Sequence, residues 1–397
     1  MRRLLTNLLL CLFAAGVQAD EITLLSDAEV KAGKDLLEQF NTTPKFVNKH
    51  PDQEALLDAL KEQCEAADVA ACLAYLLKNR SRVIAAVPDN PLYWKQFSRL
   101  IEGAPFGVEP AHMNKIKHPR VSWYDPLEAM QQWFYLQLAS EQTVSAEQIT
   151  HLYRNYRRLA ADSETLFEKM IFVAAIGIAH AQMQQLMSVY AAHGDRDSIQ
   201  ILLRAARPFS AKERSLRKVM SGEAKWIHVN IGQMEEINPN HFLHPDQVPT
   251  GPLAEVISEL QQLAEAELAL LIRQIGRISQ RSWSDYWRLP PELEEEDAED
   301  AFGLSSDTYI HFLASVRSSE VLVYLLHALG DIHLGLAAPG EPQRPAPPYW
   351  EWSWQEDQQK ICLSPTQLVQ GKSEFDNYPA CLQYVSGATV QEFLPQY

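Results

Sequence analysis

The acidic and imidazole side chains that could act together lie in one stretch near the end of the chain. Glu320, His327 and Asp331 alternate there with Arg317 and Tyr324 at steps of three and four residues. At 100° per residue on a helix, all five side chains fall within about 80° of one another. Such a ridge could orient a general base or hold a metal ion, so the pattern admits a hydrolase-like enzyme.

An ordinary amphipathic helix would show the same pattern. The opposite side of this helix is apolar and carries Val321, Leu322, Leu325, Leu326 and Leu329. Polar ridges of this kind commonly face solvent or form salt bridges. We therefore favour a structural role for the ridge and keep catalysis as the alternative.

Three other histidines have surroundings that could support chemistry. His180 is the only polar side chain in residues 170–181, where we favour a hydrogen bond in the core over a site residue with a shifted pKa. His241 and His244 lie in a loop flanked by prolines and could supply two metal ligands, although such loops more often expose histidines to water. The sequence has no phosphate-binding glycine loop, nucleophile elbow, His-Glu-x-x-His motif or zinc-spaced cysteine pair, so we predict no cofactor.

Residues 163–193 predict the helix around which the others must pack. Within this stretch, residues 170–181 would be apolar on every side of a helix, and a helix of that kind lies inside a protein. The run is shorter than the roughly 18 to 20 apolar residues that a bilayer span requires. We expect Ser163 to cap its first turn and Gly194 to end it.

Amphipathic segments predict the surrounding helices. Capping-box sequences begin at Ser26, Ser145 and Ser210, and the longest amphipathic run covers residues 252–286. The helix that carries the polar ridge is expected over residues 307–334. The predicted fold is an all-α, multi-helix globular bundle around a buried central helix.

The composition changes after residue 338. Residues 339–348 are rich in proline, and we interpret them as a linker. The alternation of Trp350, Trp352 and Trp354 predicts a strand, with residues 360–363 as its partner. We therefore predict a helical domain over residues 20–338, with a subdivision near residues 103–126 as an alternative, and a small disulfide-stapled, β-hairpin-like appendage over residues 349–397.

The first nineteen residues have the pattern of a secretory signal peptide. Arg2 and Arg3 precede an apolar run, and small residues follow before an expected cleavage after Ala19. An uncleaved membrane-anchoring N-terminus is the alternative, although the apolar run is short for a span. We predict an exported chain, periplasmic or secreted, with no stable membrane span after cleavage.

The charge of the chain bears on its partners. Loss of the signal peptide would leave 33 basic and 51 acidic residues, a formal net charge of −18. A charge of this sign argues against sequence-independent binding to nucleic acid or to anionic lipid. We therefore predict no nucleic-acid partner.

Four cysteines remain after the expected cleavage, and an even number in an exported chain indicates disulfides. Three pairings are possible, and free buried thiols are the alternative. We favour the pairs Cys64 with Cys72 and Cys362 with Cys381, because each pair falls inside one short supersecondary unit.

The stretch CEAADVAACLAYL at residues 64–76 resembles the cysteine-stapled helical repeats of tetratricopeptide type found in some exported bacterial proteins. The resemblance implies a stapled helical hairpin. It covers one unit, which lacks the usual glycines, and no second copy recurs at a fixed period, so a solenoid is not supported.

From these features we expect a non-enzymatic exported protein of the cell envelope that binds another macromolecule, with an envelope protein as its partner. Two alternatives stay open. One is an envelope enzyme that uses Glu320, His327 and Asp331 with His180 behind them, and the other is a carrier of an apolar ligand between helices. The sequence predicts no oligomeric state.

Overall fold

A computed structural model describes residues 27–43, 53–65, 68–86, 91–103, 124–139, 145–163, 165–232, 251–288, 306–366 and 380–393. The predicted signal peptide, Ser26, most of the segment 103–126, and the loop histidines His241 and His244 lie outside these residues. The predictions made for them are therefore untested by the structure.

The described chain is mostly helical, as predicted. Its helices run in the order α1 (Asp27–Thr42), α2 (Gln53–Glu65), α3 (Val69–Lys78), α4 (Arg80–Ala86), α5 (Pro91–Gly103), α6 (Tyr124–Ala139), α7 (Ala146–Asp162), α8 (Leu166–Ala192), α9 (Arg196–Ala205), α10 (Ala211–Arg214), α11 (Arg217–Gly232), α12 (Leu253–Gln280), α13 (Trp283–Arg288) and α14 (Ser306–His333). Three strands and a short helix follow: β1 (Trp350–Gln355), β2 (Lys360–Pro365), β3 (Ala380–Gln383) and α15 (Gly387–Phe393).

Helix α8 is the buried central helix that the sequence predicts. It packs against α6, α7, α9, α11, α14 and α15. Phe172, Ile176, Met183 and Leu186 on this helix are fully buried. The all-α bundle around an apolar central helix is therefore confirmed.

The predicted start of α8 at Ser163 is wrong, whereas its predicted end at Gly194 is confirmed. The first turn is capped by Thr165, whose hydroxyl accepts from the Glu168 N–H. Ser163 instead ends α7, and its N–H and hydroxyl both donate to the Leu159 carbonyl. At the other end Gly194 has a φ of +69°, the left-handed conformation that terminates helices and favours glycine.

Two predicted helices are each broken into a pair. The capping box at Ser210 opens only the four-residue α10, because Ser215 is extended and α11 begins afresh at Arg217. Likewise the run 252–286 breaks at Arg281 between α12 and α13. Side chains from other helices bind the backbone at both breaks, since the Ser279 hydroxyl accepts from the Leu216 N–H and the Arg317 guanidinium donates to the Arg281 carbonyl.

The C-terminal part contains a three-stranded antiparallel sheet in the order β1-β2-β3, so the predicted hairpin lacked one strand. Cys362 and Cys381 are direct partners in the β2–β3 register and are joined by a disulfide. Ile361, Leu363 and Leu382 belong to the same hydrophobic core as α8. The sheet is therefore packed into the helical body.

Helix α15 reaches the central helix through a glycine. A Cβ atom on Gly387 would lie 2.8 Å from backbone atoms of Ala191, so only glycine allows this close approach. The proline-rich segment also rests on the helical body, because Pro348 accepts from the Trp283 indole and Arg344 pairs with Asp331.

Among the described residues, two helices are long and apolar enough to span a membrane: residues 168–192 of α8 and 312–333 of α14. The buried share of their most apolar windows is 72% and 67%, respectively. Helices at the centre of a water-soluble core have the same length and composition.

Candidate functional site

Most of the polar ridge of α14 lies inside the protein: Arg317, Glu320 and Asp331 are buried, and Tyr324 and His327 are half-buried. Glu320 is buried, with its two carboxylate oxygens accepting from Arg317 at 2.9 Å and from Arg214 at 3.0 Å. The Arg317 guanidinium is also buried and stacks over the Tyr286 ring, 4.5 Å from its centroid. The structure thus gives Glu320 the salt-bridge role that the sequence favoured, in the interior and not at the surface.

His327 and Asp331 have partners of their own. The His327 Nε2 lies 2.6 Å from the Ala206 carbonyl, a contact that requires the imidazole to donate there. Burial lowers the pKa of His327 below its ordinary value. Asp331 accepts two hydrogen bonds from the Arg344 guanidinium, at 2.5 and 3.0 Å. Glu320, His327 and Asp331 therefore each join α14 to a different segment.

His180 has the core position that the sequence favoured. Its side chain is buried, and its Nε2 lies 3.0 Å from the Tyr153 hydroxyl. Burial, with a smaller effect of the nearby Arg157 charge, lowers the pKa of His180 to about 3. The imidazole is therefore neutral at physiological pH.

The residues proposed for catalysis do not line the cleft beside the β1–β2 turn or the cleft between α7 and α9. Catalysis by Glu320, His327 and Asp331 stays an untested alternative, as does metal binding by His241 and His244. Within the described residues, no three His, Cys, Asp or Glu side chains are grouped so that they could hold a metal ion.

The two disulfide-bonded units meet at one place on the molecule. Cys64 and Cys72 are bonded, as predicted, and this bridge fastens α2 to α3. The Ala70 N–H at the start of α3 donates to the Gln383 side chain at the end of β3, 313 residues away. Gln184 of the central helix donates to the Gln383 carbonyl, and Gln185 donates to the Cys72 sulfur.

A cleft of about 460 Å³ opens between these two units. Polar side chains from the start of α3, the β1–β2 turn with the start of β2, the end of β3 and the stretch that leads into α15 form its walls: Asp68, Asp357, Gln358, Gln359, Lys360, Gln383, Tyr384, Ser386 and Thr389. We call this space the rim cleft.

The side chains that line the rim cleft can form hydrogen bonds with a ligand. Its side-chain amides contain both donors and acceptors, some of which already bond within the protein, and its hydroxyls can do either. Lys360 donates to the Gln358 amide at 2.8 Å, and the hydroxyls of Ser386 and Thr389 lie 2.8 Å apart. The arrangement can bind a polar, uncharged chain.

Sequence reasoning missed every residue of the rim cleft. Glutamines and a lysine in a turn carry no motif, and the cleft exists only because segments distant in sequence come together. The two disulfide pairs were the available signal, because they mark the edges that form it. Comparison of the chain with protein-family models, with curated proteins and with solved structures finds no match.

Proposed function

We propose that this chain is an exported, non-catalytic interaction module of the cell envelope that binds a protein partner through the rim cleft. The observation that carries the proposal is that two disulfide-bonded units, far apart in sequence, provide the walls of one polar cleft. Disulfides persist in oxidising compartments outside the cytoplasm, which agrees with the signal-peptide pattern at residues 1–19.

The chemistry of the cleft favours an extended peptide segment as the ligand. The backbone of a peptide presents alternating donors and acceptors, which side-chain amides match one to one. A volume of about 460 Å³ lies within the roughly 300 to 1,000 Å³ typical of ligand sites. Cross-linked walls lose little conformational entropy when a ligand binds, so the site is preorganised.

Site-specific photo-crosslinking in the envelope tests this proposal. A photoreactive amino acid at Gln358, in the cleft, should give a discrete protein adduct, and Lys360→Glu should reduce the adduct several-fold. The control places the same probe at the exposed Gln262 of α12, a helix that does not line the cleft. Equal adduct yields at the two positions would contradict the proposed binding surface.

Export is tested separately. We expect the mature protein to begin at Asp20 and to be recovered from the periplasmic or extracellular fraction, with no thiol that reacts before reduction. Intact-mass measurement of the native protein reads out both features. A full-length mass with reactive thiols would refute export and leave the crosslinking test unaffected.

A further inference from the structure

A second cleft, of about 340 Å³, lies between α7 and α9 and is dominated by arginine. Its charged lining residues are five arginines and one carboxylate: Arg154, Arg157, Arg158, Arg204, Arg207 and Glu213. The first three lie one turn apart on α7, at positions i, i+3 and i+4, and therefore share one face. We call this space the arginine cleft.

The floor of the arginine cleft is a buried ion pair. Arg157 binds both carboxylate oxygens of Glu213, at 2.7 and 2.8 Å, and its remaining N–H groups reach the Arg207 and Pro208 carbonyls and the Tyr153 hydroxyl. Glu213 also accepts from the Ser210 backbone N–H. Among the described lining residues Glu213 is the only carboxylate, and apart from a contact with Arg207 its side-chain hydrogen bonds go to Arg157 and to the Ser210 backbone.

Three of the other arginines line the solvent-exposed part of the cleft. Arg154 and Arg204 are exposed, and neither forms an ion pair within the part of the chain that the structure describes. Arg207 is 61% exposed and makes a single contact of 3.3 Å with Glu213. Three guanidinium groups are therefore available to a ligand.

Placing these guanidinium groups close together in one cleft is energetically unfavourable unless an anion binds there. Like charges at short range repel, and the repulsion is stronger beside a low-dielectric surface. The chain has a formal net charge of −16, so the cleft is an electropositive exception on an acidic molecule. Guanidinium groups bind phosphate oxygens in a bidentate manner, which makes phosphate the matching anion.

We propose that the arginine cleft binds a ligand that carries two or more phosphate groups. The volume of about 340 Å³ equals roughly ten water molecules of liquid, more than one phosphate group occupies. The phosphate could belong to a soluble molecule or to a lipid headgroup. Because the chain as a whole is acidic, we expect the soluble source.

Calorimetric titration of the intact mature protein with pyrophosphate and with inorganic phosphate tests the proposal. We expect pyrophosphate to bind at least tenfold more tightly than phosphate, with an affinity that falls as salt is raised. Arg204→Gln and Arg207→Gln should each weaken pyrophosphate binding by about tenfold, the loss expected for one charge-assisted hydrogen bond. Arg196→Gln, about 12 Å away at the other end of α9, makes the same charge change and should leave binding within twofold.

Sedimentation with vesicles that contain cardiolipin, a lipid whose headgroup carries two phosphates, separates the two sources of phosphate. Failure to sediment, together with pyrophosphate binding, indicates a soluble ligand. Sedimentation that pyrophosphate competes away indicates a lipid headgroup. The proposal is overturned if pyrophosphate does not bind, if Arg204→Gln and Arg207→Gln bind as tightly as Arg196→Gln, or if vesicle binding resists competition.

Discussion

Replacement of Glu320 by alanine should destabilise the protein more than any other change on the polar ridge. The Glu320 side chain is 2% exposed and neutralises Arg317, which is fully buried, and Arg214, which is 13% exposed. Without Glu320, the Arg317 charge would remain in the interior with the Arg281 carbonyl as its acceptor and the Arg214 cation nearby. The pKa of Arg317 is lowered, because burial disfavours its charged form.

Removing one member of a buried ion pair costs about 3 to 5 kcal/mol, because the other charge is left uncompensated. With about 2.1 cal/mol/K of unfolding entropy per residue and about 380 residues, this loss corresponds to a Tm decrease of roughly 4 to 6 °C. Differential scanning calorimetry at neutral pH measures the shift directly.

Asp331→Ala is the matched control. It removes a carboxylate from the same helix, but the Arg344 partner is 47% exposed and can be hydrated once it is released. We therefore expect a cost of only about 1 kcal/mol. The double variant Arg317→Met with Glu320→Leu should regain at least half of the lost stability, since it removes the buried charge. Equal Tm shifts for Glu320→Ala and Asp331→Ala, or no recovery in the double variant, would refute the reasoning.

Three further predictions concern the core and the sheet. Burial lowers the pKa of Lys169 to about 7, so between pH 7 and 9.5 the unfolded chain binds a proton that the folded chain releases. The free energy of unfolding should therefore rise over this pH range by about 3 kcal/mol more in wild type than in Lys169→Met, as measured by urea unfolding. The pKa of His180 is lowered to about 3, so below about pH 6.5 the unfolded chain takes up a proton that the folded chain does not. Between pH 7 and 5, the free energy of unfolding should therefore fall by about 2 kcal/mol less in His180→Gln than in wild type. Replacing both Cys362 and Cys381 by alanine should cost about 3 kcal/mol in the same assay, because their bridge closes a loop with a sequence separation of 19 residues.

Each of these predictions has a contrary outcome. Parallel pH profiles for wild type and Lys169→Met would mean that the ammonium is hydrated. An unchanged acid sensitivity in His180→Gln would show that the imidazole accepts a proton inside the fold. Unaltered stability without the Cys362–Cys381 bridge would show that packing alone holds the sheet.

The sequence by itself determined the features that depend on neighbouring residues. An unbroken apolar run required a buried α8, and the capping sequences at Ser145 and Ser210 do begin helices. The pairing of Cys64 with Cys72 followed from their placement in one helical hairpin. Local hydrogen bonds and short loops decide these features, and the chain carries that information within a few residues.

Only the tertiary structure decided where the polar residues face and what they bind. Helical spacing placed Glu320, His327 and Asp331 on one ridge, but spacing does not say what covers a ridge. The partner Arg214 is 106 residues from Glu320 in sequence, and the helix breaks near Ser215 and Arg281 depend on side chains from other helices.

The two clefts were beyond sequence reasoning for the same reason. The rim cleft joins segments about 313 residues apart, and the arginine cleft brings α7 beside α9 and Glu213. The rim-cleft residues share no spacing or motif, and the helical spacing of the α7 arginines does not show what packs beside them. These contacts depend on burial and on charge compensation between segments that are distant in sequence. Such segments come together only when the whole core forms.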